Sequence, residues 1–194
     1  LHYPLRRQRQ MCIRDRNVGA IAGYTFNSNI SNSSVTGFIN SSLNVGGIVG
    51  YGNSNSKISN SYSFTDVNGV AYVGGLVGYL YDSQISNSYS FSDVTGGGYV
   101  GGLVGTSYNP VILNSYSVSN VSGGAPVGGL AGYVNGAIVT NSYWDTQTSG
   151  QATTAGNEGT GLTTAQMMAQ ANFVSWDFTN IWNIDEGTSY PYFR

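Results

Sequence analysis

Cysteine, histidine and charged residues are scarce in this sequence. Its 194 residues include one cysteine, one histidine and only 8% Asp, Glu, Lys and Arg. A single cysteine cannot supply a disulfide framework, and so few Cys and His residues cannot build a Cys/His zinc site. A Ser-His-Asp triad would depend entirely on His2. No apolar run reaches the roughly 18 residues that a transmembrane helix needs. We therefore expect a non-enzymatic chain without a cofactor.

Residues 1–16 differ from the rest of the chain. They hold five of the seven basic residues, the only cysteine and the only histidine, and this composition ends abruptly at Asn17. The six residues from Met11 to Arg16 resemble a translated sequencing-library adapter. We interpret residues 1–16 as an artefact or a disordered tail and exclude them from the fold. The alternative is a basic arm that binds nucleic acid or anionic lipid.

The remaining residues are weakly acidic and apolar enough to fold. Lys57 and Arg194 are opposed by eight acidic residues, so residues 17–194 carry a net charge of −6. This balance offers no electrostatic basis for a nucleic-acid partner. Hydrophobic residues make up 40% of the whole sequence, which is enough to fill a core and argues against disorder.

A repeat of about 27 residues organises the chain. A Val-Gly-x-aliphatic-x-Gly block occurs five times, at steps of 27, 28, 27 and 27 residues. An Asn-Ser pair follows each block. The blocks begin at Val18, Val45, Val73, Val100 and Val127, and the pairs begin at Asn32, Asn60, Asn87, Asn114 and Asn141. Spacing this regular indicates repeats that stack in register.

Each repeat shows the period of β-strands. Between Ile58 and Phe64, large side chains alternate strictly with serine. The alternation predicts that asparagine and tyrosine face inward and serine faces outward. Three short strands and three turns per repeat match one coil of a parallel β-helix, with a rise of about 4.8 Å per coil. We expect a right-handed solenoid, because parallel crossovers are almost always right-handed.

Equivalent residues of successive coils should form columns that stabilise the stack. The asparagine amides are expected to bond the equivalent amides above and below, or to cap turns. The expected columns are Leu76, Leu103 and Leu130; Asn60, Asn87, Asn114 and Asn141; and Tyr62, Tyr89, Tyr116 and Tyr143. The serine rows have two interpretations, a soluble face or a hydroxyl array that contacts polysaccharide, and the sequence does not separate them.

The repeat stops after Gly150. Thr163 to Phe173 reads as a short helix, with Thr163 as N-cap and Gln166 three residues later. The aromatic residues that follow predict a cap, residues 151–194, that covers the last coil. The alternative is an aromatic sugar-binding platform, for which Trp176 and Trp182 are the candidate ligand residues.

Two carboxylates are candidates for chemistry. Asp66 and Asp93 occupy the same position of successive coils, about 5 Å apart at the backbone. They could form an acid pair for polysaccharide cleavage or a weak Ca²⁺ site. The simpler interpretation is a pair of solvated surface residues, so we assign no catalytic or metal-binding residue.

The blocks resemble the GLUG motif of bacterial surface proteins. The tetrapeptides that begin at Gly75, Gly102 and Gly129 read Gly-Leu-Val-Gly, Gly-Leu-Val-Gly and Gly-Leu-Ala-Gly, and Gly47 begins a Gly-Ile-Val-Gly variant. The resemblance covers residues 17–150. It implies an extracellular or cell-surface location, because the family occurs in large adhesins of the filamentous-haemagglutinin type and beside some surface peptidases.

The resemblance also sets the functional alternatives. The leading one is an adhesin or stalk segment of a secreted or surface protein that contacts host or matrix glycans or surface proteins, joined to further repeats of the same parent chain. The second is an accessory module of a surface peptidase or polysaccharide-degrading enzyme. A catalytic β-helix is the third. The expected organisation is residues 1–16 as tail, 17–150 as an all-β solenoid of about five coils, and 151–194 as the cap.

Overall fold

A computed structural model describes residues 16–194, apart from the side chain of Asn157. The predictions made for residues 1–15, including those for His2 and Cys12, lie outside this range. The described chain is nearly all β, and parallel strands stack into a solenoid of about five coils. This confirms the fold class that the 27-residue period predicted.

Each coil contributes strands to four parallel sheets, whereas three strands per coil were expected. Sheet A contains Asn17–Val18, Asn44–Gly46, Val73–Gly74, Val100–Gly101 and Val127–Gly128. Sheet B contains Ala22–Phe26, Val49–Asn53, Val77–Tyr81, Val104–Tyr108 and Ala131–Asn135. Sheet C contains Asn29–Ser31, Lys57–Ser59, Gln84–Ser86, Val111–Leu113 and Ile138–Thr140. Sheet D contains Ser34–Asn40, Tyr62–Gly69, Tyr89–Ser90, Asp93–Gly96, Tyr116–Ser117, Asn120–Gly123, Tyr143–Asp145 and Thr160–Leu162.

The C-terminal region adds short helical segments and one antiparallel pair. The helices are Thr146–Ser149 and Thr164–Met167, with 3₁₀ turns at Ala155–Asn157 and Gln170–Asn172. The strands Trp182–Asn183 and Tyr192–Phe193 pair antiparallel. The capping box expected at Thr163 is present, but the α-helix is shorter than predicted because Ala169 returns to an extended conformation.

Stacking is in register throughout the coils. Ile85 pairs with Ile58 on one side and Ile112 on the other, and the same relation holds along all four sheets. The interior is a column of aliphatic side chains that are almost fully buried, formed by Ile48, Leu76, Leu103 and Leu130 together with Ile58, Ile85 and Ile112. Each buried Leu or Ile stabilises the fold by about 1.5–3 kcal/mol relative to exposure.

The asparagine of each Asn-Ser pair forms a corner between sheets C and D. Asn60, Asn87 and Asn114 have φ angles of 48°, 45° and 47°, and Asn32 and Asn141 are similar. Asparagine tolerates this left-handed conformation better than most residues. An amide hydrogen bond of 3.3 Å joins Asn60 to Asn32. The asparagines therefore serve mainly as backbone corners, and the predicted amide stack is not their principal role.

The corner reverses the inward and outward sides of the strand, so the predicted alternation is wrong beyond it. Ser61 and Ser63 are fully buried, whereas Phe64 is exposed. Tyr62 lies on the outer surface of sheet D, against the C-terminal segment. The expectation that serine faces outward and tyrosine faces inward is thus corrected by one left-handed residue.

The serine after each corner forms a buried ladder. The Ser61 N–H donates to Ser88 Oγ at 3.2 Å, and the Ser88 N–H donates to Ser115 Oγ at 3.2 Å. The Ser88 hydroxyl donates to the Ser86 carbonyl at 2.8 Å. The ladder satisfies backbone groups that the corner removes from the sheets, which a buried site requires.

At the C-terminal end of the solenoid, a tryptophan replaces the serine of the preceding coil and fills the interior. Trp144 takes the place in sheet D that Ser117 has one coil earlier, and it packs into the aliphatic interior. Its indole N–H donates to the Gln151 carbonyl at 3.0 Å. The Thr154 hydroxyl donates to the Ala131 carbonyl at 3.1 Å and accepts from the Ala131 N–H at 2.8 Å. These contacts cover the last coil.

Residues 163–194 take a different course and run along the outer surface of sheet D. Phe193 contacts Tyr62 and Tyr89, which belong to the second and third coils. Phe173 packs on Tyr143 in the fifth coil. The predicted cap is therefore two structures, an end closure before Thr163 and a lateral cover after it.

Candidate functional site

Two columns of tyrosine lie on the outside of the solenoid. The first contains the sequence-predicted Tyr62, Tyr89, Tyr116 and Tyr143, which are register partners in sheet D. Tyr89 stacks on Tyr62 and on Tyr116, with ring centroids 4.9 Å apart in both cases. The Tyr116 hydroxyl donates to the carbonyl of Pro191. The lateral cover encloses this column, so it is part of a hydrophobic core.

The tryptophans of the predicted sugar platform belong to the same core. Trp176 and Trp182 are buried, with their ring centroids 4.4 Å apart. The Trp176 indole N–H donates to the Asn141 carbonyl at 2.8 Å. Both rings also pack on Tyr116. Both tryptophans hold the lateral cover on the solenoid, and their burial leaves little ring surface for a sugar.

The second tyrosine column lies on sheet B, and residues 16–194 include no segment that covers it. Tyr24, Tyr51 and Tyr79 are register partners in the first three coils. Their ring centroids are 5.3 Å and 4.8 Å apart. Thr106 interrupts the column in the fourth coil, and Tyr133 resumes it in the fifth.

The interruption is bridged by a neighbouring ring. Tyr108 lies 5.9 Å from Tyr79 and 5.5 Å from Tyr133 between ring centroids. Tyr72 and Tyr99 extend the array sideways, with centroids 5.1 Å apart. We define the tyrosine face as Tyr24, Tyr51, Tyr72, Tyr79, Tyr81, Tyr99, Tyr108 and Tyr133, all of which are partly or largely exposed.

Three phenols of the tyrosine face, those of Tyr51, Tyr79 and Tyr108, resist ionisation. Burial, and then the neighbouring Tyr51, raise the pKa of Tyr79 to about 12. Burial also raises the pKa of Tyr51 and Tyr108. Phenol groups at this spacing present flat apolar rings together with hydroxyl groups that donate and accept hydrogen bonds.

Amide groups border the face. The Asn53 amide donates to the Tyr24 hydroxyl at 3.0 Å. The Asn109 amide donates to the Asp82 carboxylate at 2.9 Å. The face can therefore stack against apolar ring surfaces and hydrogen-bond neutral polar groups at its margin. Large aromatic side chains of this kind provide contact area with little loss of rotamer freedom.

Sequence reasoning missed the tyrosine face although its signal is present. Tyr24, Tyr51, Tyr79 and Tyr133 each follow the last glycine of a block directly. The sequence alone does not reveal which of two tyrosine columns the C-terminal segment covers, because both columns have the same chemistry and period.

The candidate carboxylates are exposed and close together. Asp66 and Asp93 lie on the outer side of sheet D, and the Asp93 N–H donates to Asp66 Oδ1 at 3.3 Å. Phe38 and Asn120 occupy the equivalent places in the flanking coils. Among residues 16–194, no three His, Cys, Asp or Glu side chains gather into a group that could hold a metal ion.

The buried carboxylate of Asp145 has a structural role. It accepts hydrogen bonds from the N–H groups of Gln147 and Thr148 and from the hydroxyls of Thr164 and Tyr190. Burial alone would raise the pKa of Asp145, but these four bonds hold the pKa below its ordinary value. Asp145 thus ties the end closure to the lateral cover.

A shallow cavity of about 370 Å³ lies where the lateral cover meets the first two coils. Asn60, Tyr62, Phe193 and Arg194 contribute to its lining. The Arg194 guanidinium already donates to the carbonyls of Phe178 and Trp182. The cavity is therefore a weaker candidate for ligand binding than the tyrosine face.

Comparisons with known proteins agree with the repeat and the fold. The family model of the GLUG motif matches residues 15–40 and 69–95, so the chain carries GLUG repeats. Such repeats stacked in register define the chain as a β-solenoid module. In the part of the chain that the structure describes, no helix is long and apolar enough to cross a membrane.

One solved structure shares the fold. It is a Bacteroides ovatus protein provisionally assigned as an immunoglobulin A1 protease, with 26% sequence identity and a TM-score of 0.62. The similarity covers 86% of this chain and 57% of the other, so this chain spans a little more than half the length of that protein. No curated protein matches the sequence significantly.

Proposed function

We propose that the chain is a non-catalytic adhesive module of a bacterial surface or secreted protein, and that its tyrosine face binds glycans. One observation carries the proposal. Of two tyrosine columns with similar ring spacing, the C-terminal segment covers one, and within residues 16–194 nothing covers the other. A contiguous patch of exposed aromatic rings on a protein surface favours a role in ligand binding.

The chemistry of the face favours sugars over other ligands. A pyranose ring has an apolar face that stacks on an aromatic ring and a rim of hydroxyls that hydrogen-bond phenols and amides. Asp82 is the acidic group beside the face, and Lys57 lies on sheet C. A neutral glycan therefore suits the face better than a strongly anionic one.

The repetition of the face favours a polymer. Tyr24, Tyr51 and Tyr79 present one ring per coil along the solenoid axis. A ligand whose own units repeat along a line can contact several rings at once, and linked weak contacts then add to a useful affinity. A rigid solenoid keeps these rings in place without ordering costs on binding.

A second candidate function is an accessory module of a surface peptidase or of a polysaccharide-degrading enzyme. The similarity to the Bacteroides ovatus protein supports it, because that protein is provisionally assigned as a protease and is longer than the region matched here. The tyrosine face would then bring an attached enzyme to its glycosylated target. Both candidates share the binding face and differ in the rest of the protein.

A glycan array tests the proposal. We expect the chain to bind a defined set of neutral glycans and the double variant Tyr51→Ala, Tyr79→Ala to bind them at least about tenfold more weakly. Phe64→Ala is the matched control, since Phe64 is an exposed aromatic residue of sheet D. Absence of glycan binding, or equal loss in both variants, would contradict the proposal. Cleavage of a bound glycan would identify an enzyme instead.

A further inference from the structure

The two ends of the solenoid differ in how their strand edges are completed. At the C-terminal end, Trp144 fills the interior and Thr154 bonds both backbone groups of Ala131. The Thr153 carbonyl accepts the Gly129 N–H at 3.1 Å. The strand Thr160–Leu162 pairs with Tyr143–Asp145. Residues of the chain itself therefore pair with or cover the strand edges at this end.

Among residues 16–194, no segment covers the N-terminal end of the solenoid. Ile21 is 44% exposed, although Ile48 at the same place in the next coil is fully buried. Ile30 is only half-buried, although its register partner Ile58 is 3% exposed. The first-coil strands of all four sheets are edge strands, each paired on one side only among the described residues. Unpaired edges above an apolar cross-section are a template for another strand layer.

We propose that this N-terminal end is a joining surface that accepts a further GLUG coil running in the same direction. The occupant follows from continuity with the four coil-to-coil interfaces already present, which all use parallel pairing in register. The sequence of the first coil agrees, because residues 15–40 match the GLUG model as residues 69–95 do. A terminal coil in repeat proteins is ordinarily atypical, as the last coil is here.

A second copy of the chain does not fit this surface. Head-to-tail stacking would need a free C-terminal edge, which Trp144 and residues 153–154 occupy. Head-to-head stacking would set the strands antiparallel and lose the column register of Ile21 over Ile48. The surface therefore suits a coil with a free C-terminal edge of the same type, and a second copy of this chain does not supply that edge.

A grafted coil tests the inference. A copy of residues 72–98 placed directly before Asn17, in place of residues 1–16, puts the copied Tyr72 in register with Asn17. We expect the melting temperature to rise by about 5 °C and amide hydrogen exchange in Ala22–Phe26 to slow by at least about tenfold. The matched control carries Leu76→Asp and Ile85→Asp within the copy, which keeps its length but removes its apolar face.

Two results would overturn the inference. One is a graft whose melting temperature and amide exchange equal those of the Asp control. The other is a dimer of the unmodified chain, seen by sedimentation, that the single change Ile21→Asp abolishes, since the surface would then belong to a second copy. A monomeric unmodified chain with a stabilising graft supports the joining surface.

Discussion

Gly102 of the fourth coil lies directly against Ser117 on the facing wall of that coil. A methyl group on Gly102 would overlap the Ser117 hydroxyl and the carbonyl oxygen of Gly129. The same close approach brings Gly75 against Ser90. The glycine at the third position of the second, third and fourth blocks is therefore required by packing, because it lets two walls of a narrow coil touch. The first block has Ala20 at this position.

Replacing Gly102 with alanine should destabilise the solenoid strongly. The added methyl group meets backbone as well as a side chain, so we expect a loss of about 3 kcal/mol in the free energy of unfolding. Gly98→Ala is the matched control, because the nearest atom to its added methyl lies at 3.7 Å. It should change stability by less than about 0.5 kcal/mol in the same urea titration. Similar losses in both variants would argue against the close packing.

The serine ladder makes a separate prediction. Ser88→Ala removes the buried acceptor of the Ser61 N–H and one of the donors to the part-buried Ser86 carbonyl. We expect a loss of about 1–3 kcal/mol, because buried polar groups lose their partners. Ser86→Ala, at a half-buried position of sheet C, should cost less than about 0.5 kcal/mol. Equal unfolding midpoints for the two variants would refute the ladder as a stabilising element.

The corner asparagines are tested by backbone preference alone. Asn87 has a φ of 45°, which a β-branched side chain adopts only with strain. Asn87→Val should lower the free energy of unfolding by about 1–2 kcal/mol, whereas Asn87→Gly should change it by less than about 0.5 kcal/mol. If glycine destabilises as much as valine, the amide group and not the corner is what the fold needs.

These variants separate what the sequence could predict from what it could not. The stack of coils follows from spacing, because equal steps between Val73, Val100 and Val127 leave no other way to bury one apolar face per repeat. The inward and outward assignment failed at Asn60, because a two-residue period holds only along a continuous strand. One residue in the left-handed conformation resets the alternation, and the presence of an asparagine in the sequence does not by itself indicate that conformation.

The location of the C-terminal segment was also beyond the sequence. Trp176 and Trp182 predicted a hydrophobic contact, but aromatic content does not say which surface receives it. The exposed column could be found only after the covered one was known, since Tyr79 and Tyr89 have the same chemistry and similar spacing. Burial, a property of the whole fold, distinguishes them.

Alkaline pH should destabilise the protein, and ionisation of the Tyr79 phenol should contribute to this loss. Its pKa is raised from 10.0 to about 12, so folding favours the protonated phenol. This contribution is complete below about pH 10 and declines as the pH rises towards 12. Urea midpoints measured from about pH 8 to about pH 11 should therefore fall less steeply for Tyr79→Phe than for the parent chain. Parallel pH profiles would mean that Tyr79 is not shielded as described.

In-register stacking, on which the whole account depends, can be tested by an engineered disulfide. Thr95 and Ser122 are Cα partners on the exposed side of sheet D, with Oγ1 and Oγ 3.2 Å apart. In a Cys12→Ser background, the pair Thr95→Cys, Ser122→Cys has the backbone separation that a disulfide requires. The pair Thr95→Cys, Asn120→Cys is the control, because Asn120 pairs with Asp93 instead.

The deciding measurement is the fraction of intramolecular disulfide after mild oxidation, read by intact-mass spectrometry. Register stacking predicts near-complete oxidation of the pair at positions 95 and 122. The pair at 95 and 120 should stay reduced, because its Cα atoms are separated by more than about 7 Å. Oxidation of the shifted pair in preference to the aligned one would contradict the account.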